Sequence, residues 1–380
     1  MLAVVSTPSA ALDTGQLRKA RGAFFTPEPV ARYIADWAVR STADHVLEPS
    51  CGEASFLLAA VDRFAVLRVP DVADDGMGAL DGVELHDASA VAARNLLRQT
   101  GVDARIEVDD FFCVDPTGSY DAVIGNPPYV RYQDFSGEAR ARSRAAALRA
   151  GVGLTNLASS WAAFAVHSAL FLRPGGRMGL VLPAELLSVN YAAEVRRFLL
   201  GSFASVDLVM FSERVFPGVQ EEVVLLLADG YQQGPTDHAS IYQARNAAEL
   251  ATIAAGRTWR PVRPEDKWTP SLLSSEALTA YMELISGDGF TVLETWGDTT
   301  LGMVTGNNKF FALSPARAAE LGLVPSDLLW LSPPGSRHLR GLAFTRTPLT
   351  ASVRESEAPQ RPSPAHQRRV STGKGTRTCG

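Results

Sequence analysis

Short apolar runs alternate with longer stretches of helical spacing through the first ~230 residues. The strand-like runs are roughly His45–Glu48, Leu80–Leu85, Arg105–Val108, Ala122–Gly125, Arg177–Leu182, Ser205–Phe211 and Val223–Ala228. Between the first five, apolar residues recur at helical intervals, as in Phe56, Leu57, Ala60, Val61 and Phe64, or along Val91, Asn95 and Leu96. Runs that alternate this way predict an α/β fold, a parallel sheet covered by helices on both faces. The last two runs follow one another with no obvious helix between them, so the seventh strand is expected to run antiparallel. Ligands of such sheets bind beyond the carboxyl ends of the strands, near the point where strand order reverses.

The pattern divides the chain. Residues 1–232 read as one domain. Residues 233–269 loosen into polar, proline-containing sequence and read as a linker or hinge. Residues 270–346 read as a second, smaller folded segment, with Leu278, Tyr281, Met282 and Ile285 at helical spacing, followed by Gly302–Phe311. Residues 347–380 contain no Phe, Trp or Tyr. They cannot bury enough apolar surface to offset their ordering entropy and are expected to be disordered. Their six basic and two acidic residues give a net +4. So abrupt a change of character reads as a frame change or truncation of the coding sequence.

Composition narrows the class. The chain has 380 residues, 46% hydrophobic and 20% charged, as a soluble globular protein would. No apolar run reaches the ~18 residues of a membrane span. Cys51, Cys113 and Cys379 are an odd, scattered set that argues against a disulfide framework and for a reducing cytoplasm. Cys and His show no short metal-ligand spacing, so no metal is expected. A net charge of −5 neither advertises nor excludes a nucleic-acid partner, because a local basic face suffices.

The candidate chemistry sits at the expected strand ends. Tyr120–Gly125 leads directly into Asn126-Pro127-Pro128-Tyr129. The Asn oxygen can accept a hydrogen bond from a planar amine and the Pro127 carbonyl can accept a second. Pro128 keeps the loop extended and stiff, and the Tyr129 ring offers a stacking face. Glu48-Pro49-Ser50-Cys51-Gly52 turns through small residues into a helix N-terminus, an electropositive end that suits a carboxylate. Glu84, ending the second strand, can take the two hydroxyls of a ribose. Asp109-Asp110-Phe111-Phe112 follows the third, with an acid for an adenine amine and a ring for stacking. Together these strand ends describe a pocket for an adenosine-bearing ligand beside an amine-holding loop. Upstream, Thr26-Pro27 reads as a helix cap with proline at the first helical position. Downstream, Phe216 falls on a loop, where a core role is less automatic. Arg140, Arg142, Arg144 and Arg149 follow the amine-holding loop and are a candidate phosphate-facing stretch.

This ordered set resembles the class I S-adenosylmethionine-dependent methyltransferases, and more narrowly the gamma-class amino-methylating DNA methyltransferases typified by the TaqI modification enzyme. The shared elements are an FxTP segment, EPxCG with a Phe, a strand-end acid, a DF pair, NPPY and a late VFP loop, over roughly residues 20–230. The resemblance implies a Rossmann-like sheet, mostly parallel with an antiparallel seventh strand, and a smaller, incomplete C-terminal recognition domain. It implies that Thr26, Glu48, Ser50, Glu84, Asp110 and Phe111 line an S-adenosylmethionine site. It further implies that Asn126 and Pro127 bind the target amine, with Pro128 in the same loop, and that Tyr129 and Phe216 sandwich a flipped base. The implied reaction is N6-adenine methylation of duplex DNA by a monomer, with a cognate restriction endonuclease acting separately. One departure stands out. The family often has glycine where Ala54 or Ser55 stands, so the loop must avoid positive φ there or bear strain.

Other readings share the amine-holding loop. They are N4-cytosine methylation, methylation of a protein glutamine or of ribosomal RNA, and a non-catalytic, truncated DNA-binding remnant. C5-cytosine chemistry is disfavoured because no Pro-Cys pair occurs.

Overall fold

The computed structural model describes residues 26–68, 78–102, 104–216, 222–287, 289, 291, 295–297, 313–330 and 359–360. Phe24, Phe25, Pro217, Gly302–Phe311 and nearly all of the 347–380 tail lie outside the described residues. The chain divides into two units, Met1–Ser286 and Gly287–Gly380.

The first unit is built on one nine-stranded sheet of order β3-β2-β1-β4-β5-β7-β6-β8-β9. The seven expected strands are β1 (Val46–Pro49), β2 (Leu80–Glu84), β3 (Ala104–Val108), β4 (Tyr120–Gly125), β5 (Leu172–Pro183), β6 (Phe203–Phe211) and β7 (Val223–Tyr231). β1 pairs in parallel with both β2 and β4, and β4 in parallel with β5. β7 runs antiparallel to β5 and β6, as the missing crossover helix between the last two runs required. Strand order reverses between β1 and β4, and the site lies there.

Helices cover both faces. On one side lie α1 (Glu28–Ala38), α2 (Ser55–Leu67) and α3 (Asp87–Gln99), packed on Val46, Ile124, Val181, Val209 and Leu225. On the other lie α4 (Gly137–Leu148), α5 (Ser160–Ala169), the single turn α6 (Glu185–Ser188) and α7 (Ala193–Ser202), packed on Leu47, Val123, Leu180, Leu208 and Leu226. Consecutive strand residues thus feed opposite core layers, the two-residue alternation of a strand buried on both faces. α1 lies so close to β5 that a Cβ at Gly179 would come within 2.6 Å of the Ile34 side chain.

Two boundaries differ from expectation. The 233–269 stretch, read as a linker or hinge, carries β8 (Ala239–Ala244), parallel to β6, and β9 (Arg257–Trp259), antiparallel to β8. Ile241, Trp259 and Trp268 are buried anchors, but the polar residues between them mask the signal. α8 (Ser275–Ser286), expected in the second segment, instead sets Leu278 and Met282 against the core of the first unit. In the second unit α9 (Pro315–Glu320) is capped by the Ser314 hydroxyl, which accepts from the Arg317 N–H at 3.2 Å. Leu329–Trp330 pairs antiparallel with Pro359–Gln360, which fall inside the tail expected to be disordered.

Candidate active site

A cavity of about 380 Å³ opens at the carboxyl ends of β1, β2, β3 and β4. All six expected cofactor residues, Thr26, Glu48, Ser50, Glu84, Asp110 and Phe111, line it, together with Asn126 and Pro128.

The loop after β1 folds tightly because three of its residues adopt left-handed backbone: Ser50 (φ 64°), Gly52 (φ 54°) and Ala54 (φ 64°). Ala54 therefore takes positive φ despite its Cβ, at a cost of roughly 1–2 kcal/mol. The Glu84 carboxylate offsets part of it by accepting from the Gly52 N–H at 2.8 Å and the His86 N–H at 2.9 Å. Gly82 lies directly beneath, where a Cβ would meet Cys51 Sγ at 3.0 Å.

The N-terminus of α2, expected to receive a ligand carboxylate, faces an acid of the chain itself. Glu48 accepts from the Leu57 N–H at 3.1 Å and is 3% exposed. Burial holds its carboxyl well above the usual carboxylate range, and the nearby charge of Glu84 adds to this. The Leu57 and Phe56 amides oppose it without overcoming it. Burial likewise pushes the Cys51 thiol up, so this cavity-lining cysteine is a neutral thiol rather than a nucleophile.

After β3, Asp110 is already engaged. Its Oδ1 accepts from the Phe112 N–H at 3.1 Å and its Oδ2 from Arg142 Nε at 3.0 Å. Phe111 lies over Phe164 and Phe171, with ring centroids 5.4 and 5.0 Å apart. His167 Nε2 reaches the Phe111 and Val114 carbonyls at 3.1 and 3.2 Å. Carbonyls only accept, so this nitrogen carries the hydrogen. Burial lowers the imidazole pKa to about 4, and the ring is neutral.

After β4, Asn126 Nδ2 donates to Thr26 Oγ1 at 3.2 Å. The helix cap is Pro27 rather than Thr26, without a side-chain capping bond, so the Thr26 hydroxyl serves the loop instead. The Tyr129 hydroxyl lies 2.6 Å from Asn126 Oδ1 and 2.9 Å from the Val181 carbonyl. Its single hydrogen serves one acceptor at a time. The atom expected to receive a target amine is thus covered by the side chain expected to stack on the base.

Phe216 does not join this group. It is 4% exposed, packs in the core layer shared with α1–α3 and does not line the cavity. It lies on the connection between β6 and β7, and a place on a loop does not show how deep a ring is buried. The four candidate arginines do not form one free cationic face either. Arg140 bonds the Phe135 and Tyr132 carbonyls, and Arg142 bonds Asp110 and Glu138. Arg144 bonds Leu154 O and Asn156, and Arg149 pairs with Asp115. Ser160 and Phe164 of α5 line the cavity and were missed, because a serine opening an apolar helix looks like an ordinary start signal.

A profile described as N-6 DNA Methylase matches residues 13–258. The chain belongs to this family. The C-terminal domain of Type II methyltransferase M.Eco57I matches residues 265–360. Among curated relatives, Type II methyltransferase M.XamI of Xanthomonas campestris pv. amaranthicola is 30% identical over 249 residues, 64% of this chain and 40% of that protein. M.AccI of Acinetobacter calcoaceticus is 22% identical over 329 residues, 82% of this chain and 56% of that protein. The chain thus spans about half the length of these relatives. The same fold occurs in the Type ISP restriction-modification enzyme LlaGI, solved as a nuclease-deletion mutant with a DNA substrate mimic. That match has a TM-score of 0.57 and 12% identity, and covers 78% of this chain and 35% of that one. The mostly parallel sheet with its antiparallel β7 is a class I methyltransferase fold. Among the described residues no helix is long and apolar enough to cross a membrane, and no three His, Cys, Asp or Glu side chains gather as a metal site.

Proposed function

We propose that this DNA methylase transfers a methyl group from S-adenosylmethionine to the N6 amine of adenine in duplex DNA, as the modification component of a restriction-modification system. A cognate restriction endonuclease acts separately. The observation that carries this reading is the meeting, in one cavity, of the acids after β1, β2 and β3 with the Asn126 loop after β4.

The residues present suit the cofactor. The cavity is of small-molecule size. Glu48 offers an acceptor for the cationic amino-acid end, Glu84 suits ribose hydroxyls, and Phe111 supplies an aromatic face near Asp110 for the adenine. When bound, S-adenosylmethionine supplies an electrophilic methyl group on a sulfonium.

The target amine lies inside the duplex stack, so its base must swing out to reach the cavity. Asn126 Oδ1 and the Pro127 carbonyl then accept the two amine hydrogens, which orients the nitrogen lone pair and stabilises positive charge as it develops there. The nitrogen so held would take the methyl group that the cofactor supplies, with the C–S electron pair left on sulfur. One proton leaves the nitrogen to solvent. Tyr129 releases Asn126 Oδ1 as the base enters, and its ring becomes the stacking face.

Incubation with methyl-labelled cofactor and mixed-sequence duplex DNA, followed by nucleoside analysis, tests this. Label in N6-methyladenine is expected. Label only in N4-methylcytosine, or no label in the DNA, would overturn it. Asn126→Ala should lower transfer about 100–1,000-fold, the scale of a lost charge-stabilising acceptor, while cofactor affinity holds.

A further inference from the structure

The loop that binds the amine in this reading is poorly equipped to hold itself. Between Asn126 and Val130 two of the five residues are prolines and carry no N–H, and the segment adopts no helix or strand. Its conformation must be imposed by a neighbour. Thr26 and the Val181 carbonyl meet its side chains; the neighbour that meets its backbone is Ser160, the first residue of α5 and 2% exposed.

Ser160 meets the loop three times. Its hydroxyl donates to the Pro128 carbonyl. The same oxygen accepts from the Val130 N–H at 2.8 Å. Its own N–H donates to the Val130 carbonyl at 3.0 Å. The one hydroxyl hydrogen and one lone pair are both used, and the bonds bracket Tyr129 on either side. The base of the clamp is rigid. Every residue of α5 is buried, and toward its far end His167 ties the helix to the Phe111 and Val114 carbonyls. Between these ends Phe164 reaches the cavity wall.

We propose that Ser160 is a positioning residue that clamps the Pro128–Val130 segment to α5 and so holds Asn126 and Pro127 at the geometry required by the target amine. By taking the Pro128 carbonyl it also assigns the amine's second hydrogen to Pro127. The inference rests on the proposed methyl transfer, yet the clamp can be read without it. Ser160 also lines the cavity, but in this role it acts through the loop.

The test compares the parent full-length chain with Ser160→Ala and Ser160→Thr, the second keeping the hydroxyl. Hydrogen exchange of peptides spanning residues 126–133 reads the clamp, and turnover with labelled cofactor and duplex DNA reads its consequence. In Ser160→Ala the loop amides should exchange about 10-fold faster and kcat should fall about 10–100-fold, the cost of a small misplacement of reacting groups, with the KM for cofactor within about two-fold. Ser160→Thr should restore most of both. Ser160→Cys, which fills the same space with a weaker hydrogen-bonding group, carries the comparison if the alanine variant does not fold. Unchanged exchange in the alanine or cysteine variant overturns the clamp, and so does unchanged kcat in an active enzyme. If the parent transfers no methyl group to DNA, the proposed function fails, while the exchange comparison still decides whether Ser160 holds the loop.

Discussion

At the scale of single residues, the contact between Tyr129 and Asn126 is the most consequential. The hydroxyl sits 2.6 Å from the very oxygen that the proposed mechanism gives to the amine. An entering base must compete with it. Tyr129→Phe keeps the ring and removes the competitor, so the KM for DNA should fall about five-fold, the equivalent of a neutral hydrogen bond of ~1 kcal/mol. A higher KM would mean that the hydroxyl helps the base rather than excludes it. Glu48 gives a second test. Its carboxyl is raised by burial, so the neutral form is the one that suits the fold. That contribution is complete below the ordinary glutamate range and is lost as pH rises through the raised value. Glu48→Gln stays neutral throughout and can still accept from the Leu57 amide. In thermal melts without cofactor the parent should match this variant at acid pH and fall behind it as pH rises toward neutrality. Parallel melting curves across that span would place the ionised form in the folded protein.

At the scale of elements, α4 looks basic in sequence but is turned inward in its bonding. Arg140, Arg142, Arg144 and Arg149 bond loop carbonyls, Asn156 and acids of their own unit. Replacing Arg140 and Arg144 by Glu should therefore leave the slope of DNA affinity against salt as it was, because no counterion release depends on them. Stability should drop by about 1 kcal/mol, the scale of partly exposed charged contacts. A flatter slope would restore the phosphate-facing reading. Much of the sheet was legible from local pattern, because short apolar segments mark most of β1–β7, though β3 buries only Ile106 between Arg105 and Glu107, and the strand ends carry the chemistry. What was not legible is long-range. Thr26 and Asn126 are 100 positions apart, and no local rule joins a helix-start threonine to a strand-end amide. Ser160 clamps a loop 30 residues upstream by the same kind of bond. β8 and β9 escaped because each offers only a few buried residues, and the burial of Phe216 escaped because loop character says nothing about depth.

At the scale of the whole molecule, the described lining of the cavity belongs to the first unit. Every described residue that lines the cavity lies between Thr26 and Phe164, well inside the first unit. The match to the C-terminal domain of M.Eco57I covers 265–360, which begins on α8 and continues into the second unit. Cofactor capture is expected to belong to the first stretch and site recognition to the second. A chain ending at Ser286 keeps α8, whose Leu278 and Met282 close the first core, and loses the rest. Its affinity for S-adenosylmethionine should stay within about two-fold of the full chain, since no charge-assisted contact worth ~1.5–3 kcal/mol is removed. Its affinity for duplex DNA should fall, and its methylation should lose preference for any one sequence, because base readout depends on a few side chains set in a groove. Calorimetric titration of both chains with cofactor, beside methylation of a mixed-sequence library, separates the two assignments. Cofactor affinity that weakens with the shortening would show that residues beyond Ser286 support the pocket, and undiminished sequence preference would place recognition within the first unit.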